Sequence, residues 1–393
     1  ASRPSPLPSP SGRGGFLGAA AHAVDSFPRG GKGGMRVLEL PGPIGMRKIS
    51  RRSILASLAA AAAVPLNAVA APGSGGEIVF ATWGGNEIKN LTRAYAAPFT
   101  NAGGANVVFD GTGPTEGAIR NMVDSGDVGW DVCDADGYSA IRLGRSGALS
   151  AIDYTIIKRD AVMPPFAFDH GVGGYTYAYV LAYDTELYKD HPPQSWADFW
   201  DVKRFPGPRG LWRWMNGGFE AAMLSAGAAH DKVYPINLTL VLDRLKQLKP
   251  NLQTWENGAQ STQMLVDRIV GMSCIWHSRA VQLAAETNGR IAWTWANGIL
   301  YPGVWVVPKN NPAGSAAFKF IASMQDAARQ INFTGLQGVG PCNPAATKAM
   351  PASLRPADPT QPEALAQLVT VDSTWWADNY DLAMKRFQDL LNQ

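Results

Sequence analysis

At 393 residues, 46% hydrophobic and 17% charged, the chain suits a packed globular protein of about two domains and is neither disordered in bulk nor fibrous. Its net charge of +3 is unevenly placed: nine of the 35 Lys and Arg but only two of the 32 Asp and Glu fall within residues 1–70. The remainder therefore carries −4 and offers no basic patch for nucleic acid.

Residues 1–45, rich in Gly, Pro, Ser and Arg and without periodicity, read as a disordered or non-native leader; Met46, or less favourably Met35, is the expected start. From Met46 a basic segment with the pair Arg51-Arg52 leads into the weakly apolar run Ile54–Val64, closed by Ala68-Val69-Ala70. Paired arginines, apolar run and small-x-small triplet, in that order, form the pattern of a twin-arginine export signal over residues 46–70 rather than of an ordinary apolar helix. Cleavage before Ala71 would place the mature chain in the periplasm. Beyond residue 70 no run of about 18 apolar residues could span a membrane.

The mature part opens with an apolar strand pattern, Glu77–Ala81, broken by Gly84-Gly85 and followed by a predicted helix over 86–99. Strands are predicted at 105–109 and 130–134, with helices at 115–124 and 139–145. Further elements follow at 175–183, 195–200, 220–226, 238–248, 260–269 and 271–276. Alternating strand and helix imply an α/β fold, and no repeat of 20 to 50 residues is present. In open α/β sheets ligands bind beyond the carboxyl ends of strands, so Trp83–Gly85 and Asp136-Gly137-Tyr138 are expected cleft walls.

Catalytic and metal signatures are missing: the sequence has no Gly-x-Ser-x-Gly turn, His-Glu-x-x-His, P-loop or dinucleotide fingerprint. Its five histidines are scattered; only His277 falls near the expected cleft, and a satisfied core or surface role is the stronger reading for it. Cys133, Cys274 and Cys342 lack metal-type spacing and read as buried thiols, with one disulfide as the alternative in an oxidising compartment. The expectation is a binding protein, with no catalytic residue, metal or cofactor.

Segments in a fixed order carry a more specific signal. They are Phe80-Ala81-Thr82-Trp83, Trp130-Asp131-Val132, Gly147–Asp153, Ser195-Trp196-Ala197-Asp198-Phe199-Trp200, Lys203–Gly207, Gly258-Ala259-Gln260, Ser273–Trp276 and Trp305–Lys309. Taken together they resemble the periplasmic substrate-binding subunits of ABC importers, the branch that includes spermidine/putrescine-binding proteins, over nearly all of residues 77–380. The resemblance implies a type II-like, two-lobed α/β fold with a ligand cleft between lobes, expected at 77–178 plus 298–345 and at 179–297 plus 346–393. It also implies a monomer that closes on a small amine or amino-acid-like solute and delivers it to permease subunits driven by a cytoplasmic ATPase. A binding protein feeding a chemoreceptor or sensor, or an importer subunit for an opine or sugar, is the alternative.

Trp83, Trp214, Trp276 and Tyr301 fall at or after expected strand ends beside Gly, Asn or Pro, where an aromatic face can hold an alkyl chain or ammonium group. Trp83, Trp276 and Tyr301 match family stacking positions by resemblance. Trp196, Trp200 and Trp375-Trp376 read as core. The sequence departs from the polyamine pattern where amine-holding acids belong: it has Leu211–Gly218 without an acid, and Gly303 after the stacking aromatic. Asp134, Asp136, Asp184, Glu220 and Glu256 are the acids left to replace them, Asp136 and Glu256 being nearest the expected cleft. Arg213 and Arg279, beside tryptophans, could clamp a carboxylate, which favours a zwitterion such as 4-aminobutyrate over a polyamine. Gln260, at a helix start, completes the expected ligand set with Tyr138.

Overall fold

The computed structural model describes residues 76–393; the leader, export signal and cleavage site expected before them lie outside the described residues. The strands are β1 (Glu77–Ala81), β2 (Asn106–Asp110), β3 (Val132–Asp136), β4 (Val172–Asp184), β5 (Arg209–Trp212), β6 (Leu252–Trp255), β7 (Met272–Trp276), β8 (Ile291–Val306) and β9 (Val369–Thr370). The helices are α1 (Asn86–Leu91), α2 (Ala97–Asn101), α3 (Glu116–Asp124), α4 (Gly137–Arg145), α5 (Trp196–Trp200), α6 (Gly218–Ser225) and α7 (Leu238–Leu248). They continue with α8 (Gly258–Val266), α9 (His277–Glu286), α10 (Ser315–Met324), α11 (Ala327–Gln337), α12 (Pro344–Ala349), α13 (Pro362–Leu365) and α14 (Ser373–Asn392).

Local chemistry fixes many of these boundaries. Thr115 caps α3 by accepting from the Ala118 N–H at 3.2 Å, and Asn237 caps α7 by accepting from Leu240 at 3.1 Å. Ser195 and Asp198 form a reciprocal capping box that starts α5 inside the Ser-Trp-Ala-Asp-Phe-Trp block. Trp196 and Phe199 of that helix are buried, so the block is a packing feature. α7 buries Val241, Leu245 and Leu248 at helical spacing, and α11 ends at Gly338 in the left-handed conformation.

The strands form one mixed sheet, in the order β2-β1-β3-β8-β4-β7-β5-β6, with β9 beside β8. β2, β1 and β3 run parallel as one wing; β7, β5 and β6 run parallel as the other. Between them the long strands β4 and β8 pair antiparallel along most of their length. β8 joins the first wing through Val306↔Cys133 to Gly303↔Asp136, and β4 joins the second through Tyr179↔Trp276 to Tyr183↔Met272.

β4 and β8 are irregular beside and between the wings. Their register shifts between Gly173 and Tyr175, level with the end of β3, and between Tyr179 and Leu181, where β4 pairs with β7 and faces Asn297 at φ 57°. Pro302 sits centrally in β8 although proline has no N–H to give a ladder. Its partner Thr176 directs both backbone groups elsewhere, donating to Gly340 O at 2.7 Å and accepting from Gly340 N at 2.8 Å. Pro302 is therefore tolerated without a lost bond to β4. Glycines admit the large rings of this region: a side chain at Gly174 would overlap Trp305, and one at Gly303 would overlap Tyr175. Cys133, Cys274 and Cys342 are buried free thiols.

Candidate ligand cleft

Register alone places a gap between the wings. β3 ends at Asp136, level through Gly303 with Tyr175 of β4. β7 runs the opposite way and ends at Trp276, level with Tyr179. The carboxyl ends of the two wings thus converge on β4 from both sides, about 13 Å apart at the usual rise per residue, with Tyr177 between them.

The first wing supplies an acidic wall. The Tyr177 hydroxyl donates to Asp136 Oδ1 at 2.8 Å, and the Tyr175 hydroxyl donates to Asp134 Oδ2 at 3.1 Å. In the first turn of α1, Glu87 accepts from Thr82 Oγ1 at 2.5 Å. Burial raises Asp134 well above the usual carboxylate range, with the neighbouring Glu87 adding to it; the tyrosine bond offsets part of this. Burial likewise raises Glu87 and Asp136, the latter against hydrogen bonds from Tyr177 and Tyr138. Three carboxyl groups are thus gathered in one low-dielectric region.

The second wing supplies an aromatic and cationic wall. Trp212, at the end of β5, packs on Trp255 and Trp276 with ring centroids 4.5 and 5.4 Å away. Trp214 projects beyond them, 40% exposed, with the Arg213 guanidinium 5.4 Å from its ring centroid. Arg213 pairs with Glu256. Arg279 of α9 lies over Gly258, where an added Cβ would sit 2.8 Å from its Nε. The charge of Arg279 also lowers Glu87 of the first wing against the effect of burial, so the two walls feel each other electrostatically. Met215, in the turn before α6, holds φ 73° with its side chain buried, a backbone conformation that is costly for a non-glycine residue.

The floor is a pair of tyrosines. Tyr177 and Tyr301 are partners across β4 and β8, and their rings stack at 5.7 Å and 27°. Tyr177 reaches into the first wing, to Asp136; the Tyr301 hydroxyl reaches into the second and donates to Glu220 Oε1 at 2.6 Å.

Comparisons with known proteins give the family and the fold. The model of the bacterial extracellular solute-binding proteins matches residues 94–365. The chain belongs to that family. Among curated relatives of this solute-binding protein, the gamma-aminobutyric acid-binding protein of Pseudomonas aeruginosa is 32% identical over 328 residues, covering 81% of this chain and 92% of the relative. Among solved structures, the Atu4243-GABA receptor is 30% identical with a TM-score of 0.75, covering 80% of this chain and 97% of the other. A spermidine/putrescine-binding protein of Streptococcus pneumoniae shares the fold at a TM-score of 0.63 but only 18% identity, covering 80% of this chain and 99% of the other. The α/β architecture expected from the sequence is that of two-lobed periplasmic binding proteins.

The expected ligand residues of the solute-binding protein are not equally exposed. Trp83, after β1, is 57% exposed and lies against Gly113, where an added Cβ would sit 3.2 Å from its ring. Asp136 closes β3, and Tyr138 in the next helical turn is buried, stacked at 5.0 Å on Tyr380 of α14. Arg213, Trp214, Glu256, Trp276 and Arg279 gather on the second wing. Gln260 serves the start of α8: its N–H donates to Asn257 Oδ1 at 2.9 Å and its Oε1 accepts from Glu256 N at 2.8 Å. Tyr301 is only 1% exposed, so it supports the floor through its hydroxyl and ring edge. Of the other acids, Asp184 lies at the far end of β4, bound by Arg268 and Arg290 and remote from the gap. Glu87, Tyr175 and Tyr177 were not in the expected set. The only sequence signal for the two tyrosines is the alternation at 175, 177 and 179, which reads simply as a strand, and Glu87 reads as an acid in the first turn of a helix.

Proposed function

We propose that this protein is the periplasmic solute-binding subunit of an ABC importer and that its solute is a small zwitterion of the 4-aminobutyrate class. Membership of the extracellular solute-binding family makes it a carrier of a small molecule outside the cytoplasm. The observation that carries the choice of solute is the unlike pair of walls. A polyamine needs carboxylates at both ends, because an ammonium taken out of water without a partner is heavily penalised. Here the first wing offers Asp136 and Glu87, while the second presents Arg213 and Arg279 beside Trp214 and Trp276. That arrangement complements one ammonium and one carboxylate. The relatives named for gamma-aminobutyric acid support the same class.

The lobes turn about β4 and β8, the two strands that cross between the wings, whose register shifts beside each wing, at Gly173/Tyr175 and at Tyr179/Leu181. Solute held by one wall draws the other over it, and the closed form is the one presented to the permease. The export signal over residues 46–70, with cleavage before Ala71, delivers the chain to that compartment. Trp83, Asp136, Arg213, Trp214, Glu256, Trp276 and Arg279 contact or orient the solute, with Gln260, Tyr138 and Tyr301 holding the surrounding frame.

A thermal-shift panel of 4-aminobutyrate, putrescine, spermidine, amino acids, opines and sugars tests this, since a ligand at 100 times its Kd adds about 2.7 kcal/mol. A shift with 4-aminobutyrate and none with putrescine is expected. A shift with di- or polyamines alone would overturn the choice of solute.

A further inference from the structure

Glu220 stands out among the buried polar groups. It lies in the first turn of α6, is 0% exposed, and gathers three donors from three separate parts of the chain. Tyr234 OH donates at 2.5 Å, Tyr301 OH at 2.6 Å and Trp376 Nε1 at 2.7 Å. All three go to Oε1. Oε2 is equally buried and, among the described residues, receives no hydrogen bond.

A carboxylate with one oxygen bound three times and the other bare is an unusual arrangement. A buried acceptor without a donor costs about 1–3 kcal/mol, more when charged. The three donors fix the carboxylate in one orientation, so the free oxygen has a defined direction. Donors of the same wing are also buried and unpartnered among the described residues, including Asn216 Nδ2, four positions before Glu220, and Arg213 Nε, just after β5. An acceptor and donors without partners are the complement of an ammonium and a carboxylate.

The position of Glu220 relative to the tyrosine floor gives this inventory a function. Tyr177 and Tyr301 stack as register partners, and each hydroxyl donates to a carboxylate, Asp136 in the first wing and Glu220 in the second. The two acids are therefore held by the two halves of one aromatic step, at the place where the wings converge. We infer that Glu220 is the amine-recognising carboxylate contributed by the second wing, and that Asp136 and Glu220 receive the solute ammonium together over the Tyr177–Tyr301 floor. The acid that the sequence lacks around 211–218 and at Gly303 is thereby replaced from α6. Because each wing contributes one carboxylate, the ammonium neutralises both only when the wings approach, which couples amine recognition to closure.

This rests on the reading of the solute as an amine. The test is calorimetric titration of the wild type and Glu220→Gln with 4-aminobutyrate and with butyrate, which lacks the ammonium. Deleting a charged hydrogen-bond partner should weaken 4-aminobutyrate roughly 10- to 100-fold. Butyrate, whatever its affinity, should bind both proteins alike, a result that general loosening of the site would not give. Tight wild-type binding of 4-aminobutyrate that Glu220→Gln leaves unchanged overturns the inference while the proposed function stands. Absence of wild-type binding to 4-aminobutyrate overturns the proposed function and the inference with it. If Glu220→Gln fails to fold by circular dichroism, Tyr301→Phe decides, since it keeps the carboxylate but removes one orienting donor. A several-fold loss for 4-aminobutyrate alone supports the inference, and unchanged affinity refutes it.

Discussion

The two wings reach the cleft with opposite chemistry on the same plan. Both are parallel sheets ending beside β4, yet the first finishes in carboxyl groups beneath tyrosine hydroxyls, and the second in tryptophans with arginines at their edges. Symmetry of architecture does not extend to the walls. A cleft with an ammonium site at each end would suit a diamine, whereas one ammonium site facing Arg213 and Arg279 suits a solute whose ends differ in charge.

The stability of the two walls should therefore respond differently to substitution. The largest effect is expected behind the tryptophan wall. Trp255 is fully buried against Trp212 and Trp276, so Trp255→Ala should cost about 3–5 kcal/mol in denaturant unfolding. A loss below about 1 kcal/mol would mean that this wall is not a packed unit. On the acidic wall, Asp134→Asn should be near neutral or stabilising at pH 7. Its carboxyl is raised by burial, so between the unfolded and folded pKa the native state holds more protons than the unfolded one and stability falls as pH rises. The amide should remove that fall, which urea melts between pH 4 and 8 would show.

His277 links the second wing to the crossing strands: its Nδ1 accepts from Ala178 N at 3.0 Å, and burial lowers its pKa from 6.5 to about 4. The unfolded chain binds the proton first, so stability rises with pH from about 4 to 6.5 and is lost on acidification through that window. The full span corresponds to roughly 3 kcal/mol. His277→Asn, which can keep an acceptor near Ala178, should flatten the acid side of the stability profile, and an unchanged slope would refute this assignment. The smallest effect is expected at the rim between α4 and α14. Arg145 and Asp378 pair at 2.5 Å, both about half exposed, so Arg145→Ala should shift stability by no more than about 0.5 kcal/mol in the same melts.

Much of the fold was legible because its elements are short and clearly punctuated. Glycines close β1 and begin α4, capping residues open α3, α5 and α7, and alternation marks β4. β8 was not legible, because Asn297-Gly298 and Pro302-Gly303 are turn signals that the neighbours neutralise: Thr176 turns to Gly340, and Tyr175 fills the space over Gly303. The placement of Trp83, Asp136, Arg213 and Trp276 at or just after strand ends was legible in the sequence. The site was illegible where partners meet only through register, as in the pairing of Tyr177 with Tyr301, and for Glu220 the sequence offers the acid but not the three donors that gather on it.

The most direct test of the unlike-walls account is calorimetric titration of the wild type with three ligands of similar length: 4-aminobutyrate, putrescine and glutarate. The account predicts that 4-aminobutyrate, with one charge of each sign, binds at least 100-fold more tightly than either of the others, a difference of about 2.7 kcal/mol. Equal or tighter binding of putrescine would show an ammonium site at each end of the solute and contradict it.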